Sequence, residues 1–196
     1  MRTREANKRD IFTQLGARNY ALTEREINDY YATEPKALEL LLDIETFDKN
    51  VWECACGEGH LSKVFAERGY NVRSTDLIDR GYGRGGYDFL TSSETWDGDI
   101  ITNPPYSYGK EFVRKAIETV TDGHKVAMFL KIQFLESKGR RALFDEYPPK
   151  TIWVSTSRLH CMLNGDANGL LNNAFTYAWF IWQKGYKGET ILKWFN

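Results

Sequence analysis

The stretch between residues 51 and 76 limits the possible folds more than any other. Val51, Trp52, Glu53, Cys54 and Ala55 form a short apolar run that breaks at Gly57-Glu58-Gly59. Leu61, Val64, Phe65 and Ala66 then recur at helical spacing, Gly69 supplies a helix stop, and residues 71–75 resume as an extended run ending in Asp76. Strand, glycine turn, helix and strand in so short a span make a right-handed crossover between parallel strands. Ligands of such sheets bind beyond the carboxyl ends of the strands, so residues 53–59 and Asp76 are the first candidates for function.

The turn is informative in what it lacks. A dinucleotide-type turn carries a third glycine where this chain has Ser62, and Glu58 would set a carboxylate against a pyrophosphate. A ligand with a cationic centre and no phosphate suits it better, and Glu53 adds a second negative group beside it. Asp76 stands 19 residues after Gly57, the distance at which an acid at the end of the second strand accepts both hydroxyls of a ribose. Alone, Asp76 reads equally well as a helix cap and Gly-x-Gly as a plain turn. With Glu53 they favour a nucleoside site.

A second constrained point follows. Asp99, Ile100, Ile101 and Thr102 read as a buried strand that runs into Asn103-Pro104-Pro105-Tyr106. Two prolines fix φ near about −65° and remove two N–H donors, so neither the strand nor a helix continues. An amide, two carbonyls and an aromatic ring are thereby held at one strand end, able to grip an aminated planar ring by its edge and face. The alternative is a stiff Pro-rich corner.

Elsewhere, residues 1–21 form a polar arm of mixed charge, either a basic contact for a phosphate backbone or a solvated terminus. Thr23 to Glu26 has a capping-box pattern that predicts a short helix reaching Tyr31. Thr33 as N-cap, with Pro35 in the first turn, predicts a helix to Asp43. Helices are predicted over 111–120 and 138–147, and strands over 125–130, 151–155 and 174–182. Trp153, Trp179 and Trp182, on strands, read as core residues rather than base-stacking groups. Cys54, Cys56 and Cys161 lack zinc or disulfide spacing and read as reduced packing residues.

Glu53-Cys54-Ala55-Cys56-Gly57-Glu58-Gly59, Asp76, Asp88-Phe89 and Asn103-Pro104-Pro105-Tyr106, in that order, resemble the motif series of S-adenosylmethionine-dependent methyltransferases acting on exocyclic amino groups. The likeness is to the DNA adenine-N6 group, above all its small bacteriophage and prophage members, and spans about residues 29–183. Tyr31-Ala32-Thr33-Glu34-Pro35 is similar to the motif those enzymes carry ahead of the first strand. The resemblance implies an α/β, class I methyltransferase Rossmann-like fold: a mostly parallel seven-stranded sheet with an antiparallel strand near the C-terminus and helices on both faces.

The resemblance further implies that Gly57 and Gly59 let the backbone approach the cofactor and that Asp76 binds its ribose. Asp88 and Phe89 would flank its adenine, and Glu53, Tyr31 and Thr33 would sit near its methionine end. Cys54, Leu77 and Asn103 belong to the same implied cofactor site. The local alternative for Asp88-Phe89 is a strand-end acid and a core aromatic. Asn103 and the Pro104 carbonyl would accept both N–H bonds of the target amino group, Pro105 would stiffen the turn and Tyr106 would stack on the base. Methyl transfer would be a direct in-line displacement yielding S-adenosylhomocysteine, with no metal, on an adenine flipped from DNA.

The chain leaves little room beyond this. Residues 22–196 read as one methyltransferase domain without a separate target-recognition domain, at a length of 196 residues. A polar Gly- and Asn-rich loop, 157–173, is the expected substrate loop, and with Lys138, Arg140, Arg141 and Arg158 it is expected to contact nucleic acid and read a short or relaxed sequence. A net charge of −1 confines any polyanion site to a local basic face. The lack of a long apolar run or a signal-type N-terminus points to a cytoplasmic protein without a membrane partner. Alternative readings are a cytosine-N4 or RNA adenine methyltransferase, a protein glutamine methyltransferase, and a cofactor-binding subunit without turnover.

Overall fold

The computed structural model describes residues 31–157, 159, 161–163 and 175–196. The N-terminal arm, the helix predicted from Thr23, Arg158 and most of the loop 157–173 lie outside them.

The described residues begin with β1 (Tyr31–Thr33) and α1 (Pro35–Ile44), followed by β2 (Asn50–Glu53), α2 (His60–Glu67) and β3 (Asn71–Ser74). β4 (Asp99–Thr102), α3 (Gly109–Thr119), β5 (Lys125–Lys131) and a short α4 (Arg141–Glu146) come next. β6 (Thr151–Ser155), β7 (Cys161–Leu163), β8 (Tyr177–Gln183) and β9 (Ile191–Phe195) complete it. Seven strands form one sheet in the order β3-β2-β4-β5-β8-β6-β9, and β1 pairs antiparallel with β7 in a separate ribbon. Within the sheet β8 alone runs against its neighbours β5 and β6, and all other pairs are parallel. The expected class I methyltransferase sheet is thus present.

Adjacent residues on the central strands face opposite sides, which is why these strands read as unbroken apolar runs. Trp52, Ile100, Val126 and Met128 pack with Phe112, Val113, Ala116 and Ile117 of α3 on one face. Val51, Ile101, Ala127 and Phe129 pack on the other with Ala37, Leu38 and Leu41 of α1 and Leu61, Val64 and Phe65 of α2. Trp179 and Trp182 are core residues, and their indole N–H groups donate to the carbonyls of Ala37 and Tyr147.

Four expectations need adjustment. Thr33 is a strand residue opposite Cys161, so the N-cap position falls to Glu34, which makes no side-chain cap, and Pro35 starts the helix. The helix predicted over 138–147 divides into a 3-10 turn, Lys138–Arg140, and α4. The strand predicted from residue 174 starts at Tyr177. β9 was not expected; it adds to the sheet edge parallel to β6 after a turn through Gly185. Residues 75–98 contribute two isolated bridges, Thr75 with Arg84 and Trp96 with Val120, in place of a further strand.

Candidate active site

The glycine turn and the acid after β3 form one unit. Gly57, with φ of 54°, donates its N–H to Asp76 Oδ2 at 2.8 Å, and the Ile78 N–H reaches Asp76 Oδ1 at 2.9 Å. Cys56 N–H bonds the Thr75 carbonyl at 3.0 Å, and Thr75 N–H the Glu53 carbonyl at 2.9 Å. Each Asp76 oxygen is held by one backbone donor, which fixes the carboxylate and leaves lone pairs for a diol. The next residue, Leu77, is a large apolar side chain left 57% exposed.

Glu53 does not supply a charge to this turn. It is only 2% exposed, and burial pushes its carboxyl up to about 8. The Ser62 hydroxyl donates to Glu53 Oε2 and lies 2.6 Å from the Ser74 hydroxyl. Ser62, in the place of the missing third glycine, is therefore the partner that makes the buried acid tolerable. At neutral pH Glu53 is mainly the neutral acid, so the expected second negative group is absent. Cys54 is likewise buried, and its thiol, pushed well up by burial, presents no surface to a ligand.

Gly59 also meets a requirement of the fold itself. Its φ is 79°, and a Cβ there would lie 2.3–2.5 Å from ring atoms of Tyr82. The chain's own Tyr82 fills the space above this glycine, with the Lys63 ammonium 5.2 Å from its ring centroid. Asp88 and Phe89 also take their local roles. The Asp88 carboxylate accepts the Leu90 N–H at 3.0 Å and caps the 3-10 turn Phe89–Thr91. Phe89, 2% exposed, packs edge-on against Trp52 at 5.3 Å and beside Phe112 at 5.5 Å. It has almost no face to offer an adenine, because the segment after Tyr87 turns under the sheet toward α3.

The Pro-Pro turn sits at the next strand end, since β4 lies directly beside β2. Thr102 and Pro104 are buried, Asn103, Pro105 and Tyr106 half-buried, and the Asn103 side-chain oxygen is enclosed. Pro105 precedes a 3-10 turn, Tyr106–Tyr108, closed by a 3.0 Å bond from the Tyr108 N–H to the Pro105 carbonyl. The Tyr106 ring lies 6.1 Å from that of Tyr177 at the start of β8. The Lys131 ammonium, at the end of β5, stands 4.7 Å from the Tyr106 centroid and 4.3 Å from that of Phe175. β1 lies against α2. There the Thr33 hydroxyl is buried without a hydrogen-bond partner among the described residues, a polar atom suited to the polar end of a bound molecule. Of Tyr31 the backbone is placed, opposite Leu163.

The basic residues divide. Arg140 donates to the carbonyls of Phe134, Gln133 and Glu136 at 2.7, 3.0 and 2.6 Å. It therefore shapes the turn after β5, with most of its donors committed. Lys138 is exposed, and Arg141 is exposed with an i,i+4 pair to Asp145 at 2.7 Å.

Sequence reasoning passed over Ser62, Tyr82, Lys131 and Phe175. The signals were a serine in a glycine's place, a tyrosine between two glycines, and a lysine closing an apolar strand. Among the described residues no group of His, Cys, Asp and Glu could hold a metal ion, and no helix is long and apolar enough to cross a membrane.

The arrangement has the fold of class I methyltransferases. A proposed RNA methyltransferase of Pyrococcus horikoshii superposes with a TM-score of 0.58 at 17% identity, covering 94% of this chain and 99% of that one. The modification subunit of a proposed type I restriction enzyme of Vibrio vulnificus gives 0.57 at 15%, covering 97% of this chain and 51% of that one. A proposed class I S-adenosylmethionine-dependent methyltransferase of Listeria monocytogenes gives 0.56 at 13%, over 81% of this chain and 62% of that one. The chain thus spans about half of the Vibrio subunit and less than two thirds of the Listeria protein. No protein-family profile and no curated protein sequence matches.

Proposed function

We propose that this protein transfers a methyl group from S-adenosylmethionine to the exocyclic N6 amino group of adenine in DNA. The observation that carries the reading is the placement of two motifs on adjacent parallel strands. The Gly57–Asp76 unit stands at the end of β2, and Asn103-Pro104-Pro105-Tyr106 at the end of β4.

The residues fit the cofactor in part of the expected set. Asp76 is oriented for a ribose diol, the exposed Leu77 for an adenine face, and the buried Thr33 hydroxyl for the methionyl end. Glu53, Cys54 and Phe89 shape the walls from behind. Bound S-adenosylmethionine supplies an electrophilic methyl group and leaves as the neutral thioether, while the accepting nitrogen loses one proton.

The clamp's part follows from the chemistry of the acceptor. An adenine amino nitrogen is a poor nucleophile because its lone pair is delocalised into the ring. When the Asn103 side-chain oxygen and the Pro104 carbonyl accept its two N–H bonds, the pyramidal nitrogen with a localised lone pair is favoured. The stiffness of the Pro-Pro segment means these acceptors do not reorganise during the reaction. Tyr106 supplies a stacking face. A duplex target must be flipped out, at a cost of a few kcal/mol. Lys138, Arg141 and Arg158 remain proposed backbone contacts, and the recognition sequence is short or relaxed.

Unmethylated DNA and RNA, each incubated with labelled cofactor and digested to nucleosides, identify the product by mass spectrometry. N6-methyl-deoxyadenosine, lost in Asn103→Ala, supports the reading. N4-methylcytosine, methyladenosine from RNA alone, or activity retained by Asn103→Ala refutes it.

A further inference from the structure

We infer that Tyr82, in the glycine-rich segment after β3, is a positioning residue for the cofactor: its ring, seated on Gly59, holds the glycine turn in register with Asp76. The inference rests on the proposed function in taking this turn as the S-adenosylmethionine site.

Residues 81–86 hold four glycines around Tyr82 and Arg84. Glycine loses more conformational freedom on folding than any other residue, so a single folded path here needs specific ties. The Arg84 N–H donates to the Ser74 carbonyl at 2.9 Å, the Asp76 N–H to the Arg84 carbonyl at 3.0 Å and the Tyr87 N–H to the Asp76 carbonyl at 2.9 Å. The backbone of Asp76 makes two of these bonds. The segment also runs so close to β3 that a Cβ on Gly83 would lie 2.7 Å from the Ser74 carbonyl oxygen. Its base is therefore built onto the residue whose carboxylate takes the Gly57 and Ile78 N–H groups.

From that base the half-buried Tyr82 ring reaches the other half of the site. It covers Gly59 so closely that any side chain there would meet it. The Cys56 thiol lies 3.6 Å from the Tyr82 carbonyl, and Lys63 of α2 holds its ammonium 5.2 Å from the ring centroid. The phenol borders the hydroxyls of Ser62 and Ser74 and the carboxyl of Glu53; burial, and then Glu53, push it above its ordinary value, so it stays a neutral phenol. One side chain thus spans α2, β3 and the glycine turn. These contacts are to the turn and its supports, so Tyr82 acts through Gly57 and Asp76. A turn held in this way presents both residues at a fixed separation before the ligand arrives, and the ligand does not bear the cost of ordering them.

Tyr82→Ala and Tyr82→Phe are compared with the wild type by titration calorimetry with S-adenosylmethionine and by amide hydrogen exchange followed by NMR. The buried β5 amides, Val126 to Leu130, are the reference for global opening. In Tyr82→Ala the cofactor should bind about tenfold more weakly and the Gly57 amide should exchange faster relative to β5, while Tyr82→Phe, which keeps the ring, should restore both. Tyr82→Leu, which keeps apolar bulk without a flat ring, gives the same comparison at a smaller cost to stability and should weaken binding in the same direction. Unchanged affinity in Tyr82→Ala and Tyr82→Leu, or binding by Tyr82→Phe as weak as by Tyr82→Ala, overturns the inference. Exchange that rises as much in β5 as at Gly57 marks a general loss of stability and also overturns it. If the wild type binds no S-adenosylmethionine, the proposed function fails, and exchange at Gly57 alone decides whether Tyr82 holds the turn.

Discussion

Replacing Glu53 by Gln isolates the cost of the buried acid behind the glycine turn. Glutamine keeps the shape and still accepts the Ser62 hydroxyl, but it cannot ionise. In the folded protein, burial raises the carboxyl from 4.5 to about 8. Between those values the native state holds a proton that the unfolded chain has released. The resulting stability is fully present below the unfolded value and is lost as pH rises through the folded one. One proton over that window, at about 1.36 kcal/mol per pH unit, amounts to on the order of 5 kcal/mol before relaxation of the site. Urea unfolding of both proteins at pH 5 to 9 measures the difference, in which the other titrating groups cancel. The variants should be close at pH 5, and Glu53→Gln should be the more stable by several kcal/mol at pH 9. Parallel pH profiles would show that Glu53 is not held as a buried neutral acid.

Three smaller perturbations probe the surrounding geometry. Gly59→Ala should destabilise the fold by about 1–3 kcal/mol, through both positive φ and the clash with Tyr82. The double variant with Tyr82→Ala should recover part of that loss in the same denaturant series, since it removes the clash and leaves the φ cost. Arg140→Ala, which removes three side-chain hydrogen bonds to carbonyls after β5, should lower the thermal midpoint by several degrees. Arg141→Ala, losing only an exposed pair, should change stability by less than about 0.5 kcal/mol in the same scan.

What the sequence made legible followed from local rules. The crossover from Val51 to Asp76 is specified by apolar periodicity and by glycines at φ values other residues avoid, so its elements were readable, whereas the hydrogen bonds that hold Asp76 were not. Asn103 to Tyr106 was readable because proline restricts the backbone whatever surrounds it. The reading of Glu53 as a charge failed because a carboxylate's ionisation depends on burial, which a residue's letter does not reveal. The surroundings of Phe89 and Gly59 were hidden for a related reason. Whether an aromatic faces a ligand or the core, and what fills the space over a glycine, depends on distant segments: Trp52 and Phe112 in one case, Tyr82 in the other. β9 was hidden because Ile191, Leu192 and Trp194 are exposed and give no alternation of buried and polar residues.

Titration calorimetry with S-adenosylmethionine, on the wild type and on Asp76→Ala, tests most directly whether the turn at the end of β2 is a cofactor site. The wild type should bind at one site per chain. Asp76→Ala should bind at least about tenfold more weakly, as expected for loss of a charge-assisted hydrogen bond to a diol. Absence of heat from folded wild-type protein, or equal affinity in the variant, would contradict the account.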